Sequence, residues 1–328
     1  MDIKVKMKYL LIFTIIFFSN LYAESLKNKY LSGLNEFINT VKEKSQYDEE
    51  YIKEVSRYMI FEPKVIKLIN SPAEKKSYSF YQRLFISDKR IKDGKNFLKV
   101  HKKILNKVEK KYGIPSEIIV SIIGIETSYG QNFGSFNAIQ SLSTLAFSYE
   151  KRKKFFLKEL NSILELIRTQ NLDIRKIEGS YAGALGMPQF MPSSYIHYAV
   201  DFDNDGKIDL WNSIPDIVAS VANYLKSHGW NYNEPARSFV NYPSQFVSNK
   251  FDKHNDRKFI KVNINKIQNK FNLRKGLETK RDYMVLLDKP TKKYYIGHNN
   301  FYVITRYNRS VLYADAVLDL SEKINEKK

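Results

Sequence analysis

The chain has 328 residues, of which 43% are hydrophobic and 14% aromatic, so it can bury a sizeable core as one large domain with lobes. It contains no cysteine, which excludes disulfides, thiol nucleophiles, cysteine-ligated zinc and iron–sulfur clusters. The formal net charge of +19 suggests a polyanionic partner. Because the lysines are spread over every predicted helix and no nucleic-acid motif is found, we expect no nucleic acid among its partners.

Residues 1–23 have the pattern of a secretory signal peptide. Three lysines precede an apolar run from Tyr9 to Phe18, and Ala23 is a small residue before a cleavage point. The run is about half of the roughly 20 apolar residues that a membrane span needs. We expect cleavage after Ala23, export to the periplasm, no lipid anchor and no stable membrane span afterwards; a short N-terminal anchor is the alternative. An exported basic chain would meet the acidic cell wall or anionic lipid, although solvated lysine-rich faces also explain the charge.

The pattern up to residue 112 is mostly helical. Residues 26–70 are polar-rich, with apolar side chains at helical spacing. Tyr78 to Ile86 is aromatic and irregular, which favours an extended or looped segment. One amphipathic helix is then predicted from about Phe97 to Tyr112, and Gly113 closes it.

The functional prediction depends on the next predicted helix. Residues 118–125 are apolar on almost every side, so this helix should run through the interior of the fold. Pro115 suits its first turn and Gly130 suits the turn that ends it. Glu126 then follows the apolar run, where partial removal from water raises the pKa of a carboxyl and prepares it as a general acid. The alternative is that Glu126 only caps or pairs with a neighbouring loop.

A helix around residues 155–167 is followed by a segment dense in glycine and proline. Residues 179–194 contain three glycines and two prolines, which predicts a shaped loop whose backbone a ligand can approach closely. A plain connector is the alternative, but such loops often line sites.

An acidic segment matches the start of an EF-hand calcium loop. It has acids at positions 1, 3 and 5, glycine at 6 and a carbonyl at 7. Position 12 departs from the pattern because it is Asn212, and Asp216 either completes the cage or forms a capping box with Ser213. The predicted ligands of a structural calcium ion are Asp201, Asp203, Asp205, the Lys207 carbonyl and Asp216.

The C-terminal part is predicted to contain strands and one helix. Pro243 to Lys280 is charged and rich in asparagine, without a clear pattern. Short strands are predicted at Tyr283–Leu287, Lys293–Gly297 and Phe301–Thr305, with a turn between the last two at 299–300. A closing helix starts at about Ser310.

Five motifs in register carry a resemblance to a known family. They are Gly124-Ile125-Glu126-Thr127, the loop 183–195, the acidic loop with Trp211, Val221-Ala222-Asn223-Tyr224, and Thr305-Arg306-Tyr307-Asn308. Together they closely resemble the B-type lytic murein transglycosylases, glycoside hydrolase family 103, from about Tyr81 to the last helix.

The resemblance implies a mostly helical α+β fold, with a lysozyme-like core that holds the EF-hand-like calcium loop, an α lobe and a small β lobe. The implied boundaries are 1–23 for the signal peptide, 24–100 for the N-terminal α lobe, 101–237 for the catalytic core with the calcium loop at 201–216, 238–304 for the β lobe, and 305–328 for a C-terminal helix that returns to the core.

The resemblance also implies cleavage of the MurNAc-β-1,4-GlcNAc bond of peptidoglycan without water, with Glu126 as the catalytic glutamate. The residues that match glycan-binding positions are Ser180, Gln189, Phe190, Tyr224, Tyr307 and Asn308 and, more loosely, Tyr81, Lys151 and Arg152. The family favours two arginines at 151–152, and a lysine lacks the bidentate fork. The implied partners are glycan strands, with other cell-wall enzymes as further candidates.

The residues themselves fit this chemistry, because only one well-placed acid is found where most glycosidases use two carboxylates. One glutamate suffices if it protonates the leaving oxygen and then deprotonates the substrate's own C6 hydroxyl. Phe190, Tyr224 and Tyr307 would stack on sugars or pack in the core. A hydrolytic muramidase and a non-catalytic wall-binding protein are the competing hypotheses; a pure binder does not need a desolvated acid.

Overall fold

The computed structural model describes residues 24–45, 47–71, 78–239, 260–261, 283–286 and 294–326, with backbone alone at 78–81, 239, 260–261 and 283–286. The predicted signal peptide at 1–23 and nearly all of the segment 243–280 lie outside these residues. No helix in the part of the chain that is described is long and apolar enough to cross a membrane.

The chain divides into two compact units, each made of two stretches of sequence. Unit 1 comprises Met1–Pro72 and Phe133–His197, and unit 2 comprises Ala73–Asn132 and Tyr198–Lys328. The domain boundaries expected from the family resemblance stay a prediction.

Unit 1 is a helical unit with one short antiparallel ribbon. Its helices are α1 (24–43), α2 (Glu49–Ser56), α3 (Pro63–Ile69), α8 (Ala138–Ser148), α9 (Lys153–Gln170) and α10 (Pro192–Tyr198), of which the last ends at the first residue of unit 2. The 3-10 turns Glu150–Arg152 and Ile174–Lys176 lie between them. The two strands β1 (Phe136–Asn137) and β2 (Glu178–Gly179) pair antiparallel.

The core of unit 1 forms around α8, which packs against α9 and α3 and is buried at every residue except Gln140. On α1, Tyr30 packs edge-on against Phe147 with ring centroids 5.5 Å apart. The helix predicted around 155–167 is confirmed as α9.

Unit 2 contains seven helices among the described residues and a four-stranded antiparallel sheet. The helices are α4 (Tyr78–Phe85), α5 (Asp88–Val100), α6 (Lys102–Tyr112), α7 (Ser116–Thr127), α11 (Ile214–Ser227), α12 (Asn299–Tyr307) and α13 (Val311–Asn325). The strands β3 (Arg237–Phe239), β4 (Ile260–Lys261), β5 (Tyr283–Leu286) and β6 (Tyr294–Gly297) are arranged in the order β3-β6-β5-β4.

The interior position predicted for the central helix is confirmed. Every residue of α7 except Glu117 and Glu126 is buried, and the helix is packed by α5, α6, α11 and α13. An apolar surface all round a helix is stable only when neighbours cover each side.

Three local predictions were wrong. The segment 78–85 is helical, not extended or looped, and its Gln82 donates a hydrogen bond to Asp319 of α13. The predicted amphipathic helix is broken at His101 into α5 and α6, although Gly113 closes α6 in the left-handed conformation as expected. Phe301–Thr305 belongs to α12, since packing between α11 and α13 overrides the β propensity of its side chains.

The expected turn at 299–300 is therefore the start of a helix. Asn300 is fully buried there; its amide donates to the carbonyls of Asn231 and Glu234, and its side-chain oxygen accepts from the Asn231 N–H. The other two strand predictions are confirmed within the described residues as β5 and β6, and the closing helix is confirmed as α13 with Ser310 as its N-cap.

Candidate active site

Glu126 lies in the last turn of α7, where the helix ends earlier than the sequence pattern predicted. The helix stops at Thr127, because Ser128 and Tyr129 both adopt left-handed backbone conformations with φ of 52° and 60°. Gly130 has φ of 84° and continues this turn. The chain therefore leaves the helix one residue after the carboxylate.

The environment of Glu126 favours its protonated form. The Tyr313 hydroxyl donates a hydrogen bond to Glu126 Oε1 over 2.6 Å. Burial raises the pKa of Glu126 to about 7, and the Tyr313 hydrogen bond opposes this rise only in part. The raised pKa expected for a carboxyl at the end of an apolar helix is thus present, and near neutral pH a large fraction of Glu126 carries a proton.

A row of tyrosines adjoins the carboxyl. The rings of Tyr307 and Tyr313 are nearly parallel at 8°, with centroids 6.3 Å apart, and Tyr224 meets Tyr307 edge-on at 4.9 Å. Tyr224 donates from its hydroxyl to the Arg306 carbonyl over 2.6 Å. Burial, with the charge of Glu126, holds the pKa of Tyr307 well above its ordinary value. Two predicted glycan-binding residues, Tyr224 and Tyr307, are therefore brought together near Glu126.

Sequence reasoning missed Tyr313. This residue is 1% exposed on α13, and a buried tyrosine hydroxyl needs a hydrogen-bond partner. A tyrosine among the apolar residues that open this helix was the one signal that could have pointed to it. Asn308, half-buried, follows directly after Tyr307.

In unit 1, two predicted glycan-binding residues organise one tight turn. Ser180 Oγ accepts hydrogen bonds from the backbone N–H groups of Ala182 and Ala184. Gln189 has a left-handed φ of 52°, and its side-chain amide donates to the carbonyls of Phe133 and Gly186, both at 3.0 Å. The turn is therefore a shaped loop held by its own polar side chains.

The other predicted glycan-binding residues occupy different surroundings. Phe190 is only 2% exposed, which favours the packing alternative for its ring. Lys151 and Arg152 are exposed on the 3-10 turn before α9, and the Arg152 guanidinium lies 4.0 Å from the ring centroid of Phe155. The backbone of Tyr81 lies in α4, and its side chain lies outside the described residues.

Three acids of the EF-hand-like loop converge. Carboxylate oxygens of Asp201, Asp203 and Asp216 lie within 4.8 Å of one another. Asp216 is 1% exposed, and its pKa is raised by burial and by the charges of the other two. Among the described residues, no salt bridge neutralises this cluster. Such a group of oxygens suits a hard cation.

The backbone and the carboxylate of Asp216 make separate contacts. Its backbone N–H donates to Ser213 Oγ at the start of α11. Its carboxylate faces the loop and accepts from the N–H groups of Phe202 and Asp209. Asp205 Oδ1 accepts from the Lys207 N–H, and Asp205 is not part of the converging trio.

A carboxyl with a raised pKa, at the end of a buried helix and beside a row of tyrosines, suits general acid catalysis of glycosidic bond cleavage. The comparisons with known proteins agree. The family described as transglycosylase SLT domain matches residues 30–322. The membrane-bound lytic murein transglycosylase B of Escherichia coli K12 is 33% identical over 301 residues, 88% of this chain and 81% of the relative.

Two crystal structures share the fold. The soluble lytic transglycosylase SltB1 of Pseudomonas aeruginosa is 38% identical, with a TM-score of 0.79 over 89% of this chain and 97% of that one. The Escherichia coli lytic transglycosylase Slt35 in complex with calcium is 32% identical, with a TM-score of 0.78 over 89% and 92%. The chain belongs to the SLT-domain transglycosylase family, and the predicted family, enzyme class and mostly helical lysozyme-like fold are confirmed.

Proposed function

We propose that the protein is a peptidoglycan lytic transglycosylase that cleaves the MurNAc-β-1,4-GlcNAc bond and leaves a 1,6-anhydroMurNAc end. One observation carries the reaction: the carboxyl of Glu126 is desolvated, has a pKa of about 7 and is held by a neutral tyrosine hydroxyl. Membership of the family supports the reaction class, and the name of the Escherichia coli relative supports murein as the substrate.

In the first step, protonated Glu126 gives its proton to the glycosidic oxygen. The bond between C1 of MurNAc and that oxygen breaks, GlcNAc leaves with a free hydroxyl, and positive charge develops at C1. The pKa near neutrality keeps enough of the acid form available at working pH. Tyr313 then donates its hydrogen bond to the carboxylate that remains.

In the second step, the Glu126 carboxylate takes the proton of the substrate's C6 hydroxyl while O6 bonds to C1. This restores protonated Glu126 and closes the 1,6-anhydro ring, so one group serves both proton transfers. The C6 hydroxyl is tethered to the reacting sugar, and effective molarities of well-oriented intramolecular groups reach about 10⁵ M or more. Attack by O6 should therefore outrun attack by water.

We assign the glycan contacts to the residues predicted from the family motifs. Tyr224, Tyr307 and Asn308 are supported by the position of the tyrosines near Glu126. Ser180 and Gln189 are supported by the turn that their own side chains hold in shape. Phe190 is given a packing role beneath that turn, since it is buried. Tyr81, Lys151 and Arg152 rest on the motif match alone.

We further infer that the acidic loop binds a structural calcium ion through Asp201, Asp203, Asp205, the Lys207 carbonyl and Asp216. The convergence of three carboxylates without a neutralising ion pair in the described residues supports this, as does the calcium complex of Slt35. Calcium would supply only charge neutralisation and bracing there. Because Asp216 also lies at the start of α11, its ligation would link the loop to the helix that carries Tyr224.

The proposed place of action is the periplasm, reached through the signal peptide expected at residues 1–23. The basic charge of +19 suits an acidic polymer substrate.

The product identifies the reaction. Purified sacculi would be digested with the protein, and the released muropeptides analysed by mass spectrometry before and after borohydride reduction. We expect muramic acid ends that are lighter by one water than hydrolysis products and that resist reduction. Mainly reducible ends would instead establish a hydrolytic muramidase. Binding to sacculi without release of fragments would support the wall-binding alternative.

A further inference from the structure

The turn that follows the catalytic helix is held in an unfavourable backbone conformation. Ser128 and Tyr129 are consecutive non-glycine residues with positive φ, at 52° and 60°. Residues with a Cβ rarely adopt this region, and they stay in it only where the surroundings hold them. Ser128 lies two residues after Glu126, so whatever holds this turn also limits where the carboxylate can be.

Arg90 of α5 holds the turn from its side chain. Arg90 Nη2 donates to Ser128 Oγ, and Nη1 donates to the Leu84 carbonyl, both over 2.8 Å. The guanidinium also lies over the ring of Phe85 at 5.3 Å. The planar fork of an arginine can bridge two acceptors in fixed directions, whereas a lysine cannot.

Tyr129 holds the turn from the opposite direction. Its hydroxyl donates to the Arg90 carbonyl over 2.9 Å. Its ring packs under α7 against Gly124, where an added Cβ would lie 2.6 Å from ring atoms of Tyr129. The absence of a side chain at Gly124 is therefore what lets the tyrosine fold back against the helix. Arg90 and Tyr129 together connect α5 to the end of α7 through both side chains.

We propose that Arg90 and Tyr129 are positioning residues, which clamp the left-handed turn at Ser128 so that the Glu126 carboxylate keeps one position through both proton transfers. The inference rests on the proposed role of Glu126. One carboxylate must reach the glycosidic oxygen and then the C6 hydroxyl, so it has little tolerance for movement. A displacement of about 1 Å can cost about 100-fold in rate. Neither Arg90 nor Tyr129 touches the substrate in this proposal.

The decisive variant is Ser128→Gly, because it separates positioning from stability. Glycine adopts positive φ without strain, so the melting temperature should stay unchanged or rise. One of the two acceptors of the Arg90 fork, Ser128 Oγ, is lost, however, and the turn becomes freer to move. We expect kcat to fall about tenfold to 100-fold, with KM within about twofold of the wild type.

Two further variants change Arg90 and Tyr129, the two residues of the proposed clamp. Arg90→Lys keeps the charge but loses the fork, and should lower kcat by a similar factor. Combined with Ser128→Gly it should lower kcat little further, because both changes break the same contact. Tyr129→Phe removes the hydroxyl alone and should give a smaller loss. Arg175→Lys, at an exposed ion pair with Asp173 in unit 1, is the matched control and should behave as wild type.

Binding is measured separately, as the dissociation constant for glycan strands in a Glu126→Gln background, and Arg90→Lys should leave it unchanged. Wild-type kcat in both Ser128→Gly and Arg90→Lys would overturn the clamp. So would a loss of kcat explained by the unfolded fraction at the assay temperature, or a weakened dissociation constant. Reducible ends from the wild type would instead refute the proposed chemistry. The kcat values of the variants relative to the wild type would still test whether Arg90 and Tyr129 position Glu126.

Discussion

Two groups of acids in unit 2, the half-buried Glu126 and the buried pair Asp315 and Asp319, have opposite kinds of partner. Glu126 receives one hydrogen bond from a neutral tyrosine, and its pKa rises to about 7. Asp315 and Asp319 are buried around Arg237, whose Nη1 and Nη2 lie 2.6 Å and 2.7 Å from their carboxylates. Burial lowers the pKa of Arg237, but the charges of Asp315 and Asp319 outweigh it and raise the pKa above its ordinary value. One acid is left able to move a proton, and the other two are held against a guanidinium.

The same helix serves both groups. Tyr313 and Asp315 are two residues apart on α13, so one helix brings a neutral donor to Glu126 and two carboxylates to a guanidinium. A carboxyl without a cation pays the full desolvation cost of its charge, whereas a buried pair offsets that cost by its mutual attraction. The identity of the partner therefore separates a reactive acid from a structural one.

The largest expected effect is the loss of turnover in Glu126→Gln. The amide keeps the shape of the side chain but cannot donate and recover a proton. General acid–base catalysis contributes about 10²- to 10⁴-fold in rate, and here one group serves both steps. Sacculus lysis and circular dichroism should show a folded, inactive protein, while Glu117→Gln on the same helix stays active. Lysis at the wild-type rate by folded Glu126→Gln would remove Glu126 from the mechanism.

The same variant should change how stability depends on pH. The folded-state pKa of Glu126 is raised above its ordinary value, so its contribution to stability is fully present below about pH 4.5 and is lost as pH rises through about 7. As the pH rises from 5 to 8, the free energy of unfolding of Glu126→Gln should therefore increase relative to that of the wild type by about 1–3 kcal/mol. Urea unfolding at both pH values measures this. An equal difference at the two values would contradict the raised pKa.

For the ion-paired acids Asp315 and Asp319, the matching test is Arg237→Met, which should destabilise the fold. Removing one partner of a buried ion pair leaves the acids uncompensated and costs about 3–5 kcal/mol. Denaturant unfolding should show this loss as a lower midpoint. Arg175→Met, at an exposed pair, serves as the control with a change within about 0.5 kcal/mol. A similarly small change for Arg237→Met would show that the buried network contributes little.

For the acidic loop we propose a third kind of partner, a metal ion. Calcium at 100 times its dissociation constant should stabilise the folded protein by about 2.7 kcal/mol, seen as a higher melting temperature in calorimetry with calcium than with chelator. Asp216→Asn should weaken this response, and Asp173→Asn, an exposed acid in unit 1, should leave it intact. A melting temperature that calcium does not change would make the loop a solvated turn.

The smallest effect is expected for Tyr313→Phe, which tests how the Tyr313 hydroxyl affects the pKa of Glu126. The Tyr313 hydrogen bond lowers the pKa of Glu126, so its loss should move the alkaline limb of the pH–rate profile to higher pH. Loss of a donor to the carboxylate should also reduce kcat by about tenfold, the equivalent of about 1.4 kcal/mol. An unshifted limb would show that the tyrosine does not tune the acid.

The sequence by itself determined the features that depend on short-range pattern. Apolar residues on almost every side of 118–125 predicted an interior helix with a desolvated acid at its end. This prediction succeeds because periodicity is a property of neighbouring residues. The spacing of Asp201, Asp203 and Asp205 predicted a calcium loop by the same short-range reasoning, and calcium binding there stays a prediction.

Only the tertiary structure decided which partners Glu126, Asp315 and Asp319 meet. Tyr313 is 187 positions from Glu126, and Arg237 is 78 and 82 positions from its two aspartates. Phe301–Thr305 became helical for the same reason, since packing against distant helices outweighed its local β propensity. Propensity acts between neighbours along the chain, whereas desolvation and charge pairing depend on groups that only folding brings together.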